Sequence, residues 1–175
     1  MKAVRAYLLV GILLATAGAE TQGTEAQIPA LHGTVLSGAK VDLPEALKGK
    51  AGVLVLGFSE ASRNQVAVWG RRLAGDYRES QSVVYYEMPM LESAPRFLRG
   101  YILRKIGESV PEPAKARFLP VVDHEAEWKK LAGYAKADDA YVLVVDGEGN
   151  VRWKTSGAVD EERYAAVKRE LERIR

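Results

Sequence analysis

The sequence predicts an α/β domain: a central mixed β-sheet flanked by helices, with a β-hairpin leading into it. Three observations carry this expectation. The run "AGVLVLGFS" at 51–59 is apolar without alternation, the pattern of a strand buried on both faces. Further β-prone segments alternate with stretches of helical periodicity, which requires parallel pairing through right-handed crossovers. Near the C-terminus, "AYVLVVD" and "VRWKTSG" are separated only by the Gly-rich "GEGN", too short a connection for anything but an antiparallel pair.

The elements follow in order. In "GTVLSGAKVDL", residues 33–43, two short β-prone pieces flank Ser37-Gly38, a hairpin turn ahead of Pro44. After the 51–59 strand, Val66, Trp69 and Leu73 recur at helical spacing and predict about three turns ending near Gly75. "SVVYYEM" is a second strand, stopped by Pro89. Residues 95–106 place Phe97, Leu98, Tyr101, Ile102 and Ile106 on one side of a helix, with Pro95 tolerated at its first position. A Pro-bearing connector leads to "RFLPVVD", a short strand entered through Pro120, and then to a helix over "HEAEWKKLAGY" that Asp123 is placed to cap. The late hairpin follows, and Asp160 caps a final helix whose Tyr164, Val167, Leu171 and Ile174 form one apolar stripe.

Composition sets the limits on function. The 175 residues, 47% hydrophobic and 27% charged, suffice for one well-cored domain. The first residues carry Lys2 and Arg5, an apolar stretch from Ala6 to Leu14, and Ala17 and Ala19 in an A-x-A relation, which reads as a secretory signal peptide cleaved after Ala19. A retained anchor is the alternative, although the apolar run is short of the roughly 20 residues of a membrane span. The expected organisation is a signal peptide at 1–19, a flexible leader at 20–32 and one domain at 33–175, exported to a periplasmic or extracellular location. Without residues 1–19 the chain holds 23 basic and 23 acidic residues, so no net charge recommends it to nucleic acid. With 0 cysteines it has no disulfide, no catalytic thiol and no cysteine metal site.

"VDLPEALKGKAGVLVLGFS" resembles the opening of redoxin domains, and "FLPVVDHEAEWKKLAGY" with "AYVLVVDGEGNVRW" is similar to their second half. The resemblance covers roughly 33–175 and implies a thioredoxin-like fold with a peroxiredoxin-style N-terminal hairpin. The chain departs from that superfamily at the two places that define its chemistry. Where thiol-active members carry cysteine at a helix start, this one offers Ser62, Arg63, Asn64 and Gln65, and where they place a proline before the late strand, it has Asp139 or Ala140. Gly57-Phe58-Ser59, Trp69, and Val145-Asp146 through Arg152-Trp153 resemble a cysteine-poor branch, the mitochondrial ATP-synthase assembly factors and their bacterial look-alikes. That resemblance implies an assembly or holding factor at a membrane face, with no redox step.

The residues themselves support the same direction. A thiolate at a helix N-terminus is a nucleophile because its pKa falls toward neutrality, whereas a serine hydroxyl stays protonated without a positioned base. His32 and His124 are the only histidines, and no third member is identifiable to complete a Ser-His triad. The degenerate active-site loop, Ser59, Ser62, Arg63, Asn64 and Gln65, therefore has two readings. It is an N-cap with exposed backbone N–H groups, or it uses those donors, the helix dipole and Arg63 to hold an anionic or carbonyl ligand.

Arg96, Arg99, Arg104 and Lys105 belong to a stretch, 96–117, with six basic and two acidic residues. They form a surface for a protein partner or for anionic headgroups, or they are the solvated side of a helix whose apolar side enters the core. Met88 and Met90 in "MPM" suggest copper(I) only weakly without cysteine or a nearby histidine, and packing is the expectation. Trp69, Trp128 and Trp153 are read as packing residues and "DGEGN" as a turn rather than a calcium loop. The expected function is an exported, non-catalytic protein-binding or assembly factor with an envelope or membrane protein partner, possible peripheral membrane contact and no cofactor or metal. The alternative is a redoxin-related oxidoreductase or peroxidase-like enzyme with a degenerate site.

Overall fold

The structure, a computed structural model, describes residues 26–175. The signal-peptide segment and the leader up to residue 25 lie outside the described residues. Ala26 to His32, expected to belong to a leader, are already packed: Gln27 bridges Asn150, and Ile28 and Leu31 are buried.

The hairpin is β1 (Leu31–Thr34) and β2 (Lys40–Leu43), antiparallel with Leu31 opposite Leu43. Gly38 makes its turn at φ +93°, a conformation that costs glycine nothing. A four-stranded sheet follows, in the order β4-β3-β5-β6, from β3 (Ala51–Gly57), β4 (Val83–Pro89), β5 (Ala140–Val145) and β6 (Val151–Ser156). β3 pairs parallel with β4 and antiparallel with β5, and β6 closes the late hairpin antiparallel. Every residue of β3 and β5 is buried, as the lack of alternation required.

The two faces of the sheet build two cores. Val53 and Val55, with Val142 and Val144, pack under α1 (Arg63–Tyr77) and α5 (Glu161–Ile174), meeting Val66, Trp69, Leu73, Tyr164, Val167 and Leu171. Leu54, Leu56, Tyr141 and Leu143 point the other way, toward the hairpin residues Leu31 and Leu43 and toward Trp128 of α4 (Glu125–Ala132). Asp160 caps α5 as expected, accepting the Arg163 N–H at 2.7 Å.

Three expectations change. Residues 118–121 lie parallel to β4 but make only the isolated bridges Glu87–Phe118 and Met90–Val121. Pro120 and Pro89 each lack the N–H that a continuous ladder needs. Asp123 does not cap α4: His124 precedes it in the left-handed region at φ 57° without a side-chain cap. The cap arrives from far along the chain, because the Glu92 carboxylate accepts the Glu125 N–H at 2.6 Å while the Glu125 carboxylate accepts the Ser93 N–H at 3.0 Å. Finally, α2 (Arg96–Ser109) has no buried residue, so its apolar residues do not enter the core. The short α3 (Glu112–Lys115) follows it.

Candidate functional site

The loop after β3 begins with a 3-10 turn, Glu60–Ser62, that runs directly into α1. This geometry engages the donors that lead into the helix. The Ser59 hydroxyl accepts the Ala61 N–H at 3.1 Å, the Ser59 carbonyl accepts the Ser62 N–H at 3.3 Å, and the Glu60 carbonyl accepts the Arg63 N–H. Three donors at the entry to the helix, those of Ala61, Ser62 and Arg63, are thereby engaged within the chain.

The side chains are spent in the same way. Ser62 is fully buried and its hydroxyl donates to the Ser59 carbonyl at 2.8 Å. Gly57 makes room for this, since a Cβ there would stand 2.9 Å from Ser62 Oγ. The Ser59 hydroxyl also donates to the Ala137 carbonyl, and Gln65 Oε1 accepts the Ala140 N–H at 3.2 Å. Arg63 pairs with Glu60 at 3.0 Å on the surface, and Asn64 is exposed. The loop is therefore clasped to the segment before β5, through Ala137, and to the first residue of the strand, Ala140.

That segment is itself anchored by Tyr141, which the sequence did not single out. The Tyr141 hydroxyl accepts the Ala135 and Lys136 N–H groups, both at 2.8 Å, and donates to the Lys136 carbonyl at 2.9 Å. Its ring packs against Phe58 and Tyr134, with centroids 5.5 and 5.7 Å away. Lys129 sits 4.9 Å from the Tyr134 ring centre and 2.7 Å from Glu125 Oε1, so the aromatic cluster is flanked by an ion pair. Aromatic residues at 58, 134 and 141 were the available signal, but nothing in their spacing announces that they meet.

A clasp of this kind has a measurable stability. Gln65→Ala leaves the buried Ala140 N–H without its acceptor and is expected to cost about 1–2 kcal/mol in urea unfolding. No loss would mean that the contact is ornamental.

The remaining candidates separate cleanly. His124 is exposed and bonds Glu127 Oε1 at 3.0 Å, which raises its imidazole pKa, while His32 bonds Asp42 at 2.7 Å. Ser62 and the two histidines thus have different partners and form no Ser-His pair. Met88 and Met90 are buried in the core, and among the described residues no group of three or more His, Cys, Asp or Glu side chains is placed to hold a metal ion. Asp146 accepts the Glu148 and Asn150 N–H groups, each at 2.9 Å, fixing "DGEGN" as a turn.

Among the basic residues of α2, Arg99 is set apart from the other three. Arg99 turns inward and donates to the Ala94 carbonyl at 3.0 Å and to the Glu92 carbonyl, holding the helix to its own entry loop. Arg104 lies 5.4 Å from the Tyr101 ring centre, Lys105 pairs with Glu108 at 2.8 Å, and Arg96 is exposed. Phe97 and Tyr101 are 83% and 54% exposed.

Solved structures match this fold at low identity. The thioredoxin domain of a thiol-disulfide oxidoreductase from Bacteroides vulgatus is 18% identical, covering 85% of this chain and 98% of that one, with a TM-score of 0.59. The exposed lipoprotein thioredoxin Etrx1 of Streptococcus pneumoniae is 12% identical over 81% and 99%, with a TM-score of 0.58. BsSco, a member of the Sco family of cytochrome c oxidase assembly proteins, is 12% identical over 85% and 95%, with a TM-score of 0.53. Likeness at this level establishes the thioredoxin-like fold and nothing about chemistry. No curated protein sequence matches the chain. The family described as ATP10 protein matches residues 22–173. The resemblance first read from Gly57-Phe58-Ser59, Trp69 and the 145–153 hairpin therefore holds, and the chain belongs to the ATP10 protein family.

Proposed function

We propose that this protein is an exported, non-catalytic assembly factor that binds a membrane protein partner, a subunit of a membrane ATP synthase on the reading its family suggests. One observation carries the non-catalytic part. The helix start that works through sulfur in thiol-active members of this fold has no sulfur here, and Ser59, Ser62 and Gln65 are engaged in bonds within the chain. A hydroxyl that is buried and already donating offers neither a leaving proton nor access to substrate.

Holding a partner needs only shape and surface, which this domain keeps. Export places it on the far side of the membrane from the site of synthesis, in line with the basic and apolar opening of the sequence. The test is the amount of assembled ATP synthase in cells that lack the chain, together with turnover by the purified protein. Assembly is expected to fall, and peroxide and disulfide turnover to stay at the level of a heat-treated control. Turnover above that control overturns the reading.

A further inference from the structure

Helix α2 is amphipathic in the wrong sense for a domain that keeps its apolar groups inside. At about 100° per residue, Ile102, Leu103 and Ile106 share one side of the helix, where they are half-buried with Arg99. The opposite side carries Phe97 and Tyr101, with Arg104 and Lys105 flanking them on either edge. Phe97 is 83% exposed although burying so large an apolar ring would be stabilising. The sequence pattern thus supplies two apolar strips, and the fold uses only one.

Charge follows the same helix. Arg96, Arg99, Arg104 and Lys105 against the single acid Glu108 make α2 net positive, while the rest of residues 26–175 holds 19 bases and 20 acids. The positive balance of the described chain therefore resides here. Arg99 is withdrawn to fix the helix on the Ala94 and Glu92 carbonyls. Glu92 in turn caps α4, so α2 is tied to the body through its entry loop. On the outer face Glu108 partly offsets Lys105, at 2.8 Å, and Arg104, at 4.0 Å. These are exposed pairs worth little in water, which an anionic surface can displace.

We propose that the outer face of α2 docks on an anionic lipid bilayer. Phe97 enters the boundary between headgroups and acyl chains, Tyr101 sits at the headgroup level with its hydroxyl in water, and Arg96, Arg104 and Lys105 meet lipid phosphates. An exposed aromatic pair flanked by cations matches such a surface in both polarity and charge. The inference rests on the assembly-factor reading, for which it supplies the location: the domain lies along the membrane in which its partner sits.

The experiment is co-sedimentation of the purified protein with vesicles of phosphatidylcholine alone and with about one-third phosphatidylglycerol, at low and at 0.15 M salt. Binding to the anionic vesicles is expected to exceed binding to the neutral ones by tenfold or more and to weaken with salt. Phe97→Ser and the double variant Arg104→Glu, Lys105→Glu are each expected to lose at least fivefold, with unchanged thermal melts because the residues are exposed. Failure to sediment with either vesicle, or equal binding by the variants, overturns the proposal. So does a photo-crosslinker at position 97 that traps an acidic protein and no lipid. ATP-synthase assembly scored in the same variants separates the two claims: lost vesicle binding with intact assembly removes the docking site and leaves the partner-binding reading standing.

Discussion

Replacing Glu87 with glutamine is expected to raise stability by about 2–3 kcal/mol at pH 8 and to leave it nearly unchanged at pH 4.5. Glu87 lies on β4 with its carboxyl beneath α1, in the space that a side chain on Gly70 would occupy: a Cβ there would stand 2.1 Å from Glu87 Oε1. Burial pushes its pKa from 4.5 to about 7, with Arg71 pulling weakly the other way. The folded state therefore binds more protons than the unfolded chain between these two values. Stability falls as pH rises through that window and stays low above it. Each pKa unit is about 1.4 kcal/mol, and glutamine resembles the protonated acid at every pH. Urea unfolding of both proteins at pH 4.5, 6 and 8 checks this. The native protein should lose stability across the series relative to the variant, and parallel curves would show that the carboxyl is solvated.

Trp69→Ala is expected to cost about 3–5 kcal/mol and to lower the melting temperature by about 10 °C or more. Trp69 is fully buried between α1 and the sheet, and its indole N–H donates to the Gly157 carbonyl at 3.0 Å. It thereby joins α1 to the turn after β6. Phenylalanine separates the two contributions. Trp69→Phe leaves the Gly157 carbonyl without its donor and should cost about 1–2 kcal/mol through the hydrogen bond, apart from lost packing. Trp128 is equally buried, but its Nε1 has no acceptor among the described residues, so Trp128→Phe removes an unsatisfied donor and should be milder. Thermal unfolding of the two Trp→Phe variants decides the matter. Equal losses would mean that the Gly157 bond contributes nothing.

The strands were legible because β3 and β5 are apolar at every position, and burial on both faces leaves no other pattern. α5 was legible for the converse reason: its stripe is narrow and a local aspartate caps it. α2 was not, because Phe97, Tyr101, Ile102 and Ile106 spread around half the helix, and periodicity does not say which part meets the body. Nor was the capping of α4, since the acceptor is Glu92, 33 residues away from Glu125. The candidate loop shows the same limit. Ser59, Ser62 and Gln65 are visible in the sequence as polar residues at a helix start, but the partners of Ser59 and Gln65, Ala137 and Ala140, lie more than 70 residues on. Composition gives the polar groups; only the fold reveals that they are already satisfied.

These contacts bear on what the loop is for. If it is a clasp, substitutions in it act through the amount of folded protein; if it is a binding surface, they act at constant folded amount. The deciding measurement is the level of assembled membrane ATP synthase in cells that lack the chain, resupplied with either the native protein or the Ser59→Ala, Gln65→Ala double variant, each normalised to its own folded abundance. Assembly should drop without the chain and recover with both proteins in proportion to their abundance. Unchanged assembly in the absence of the chain would contradict the account.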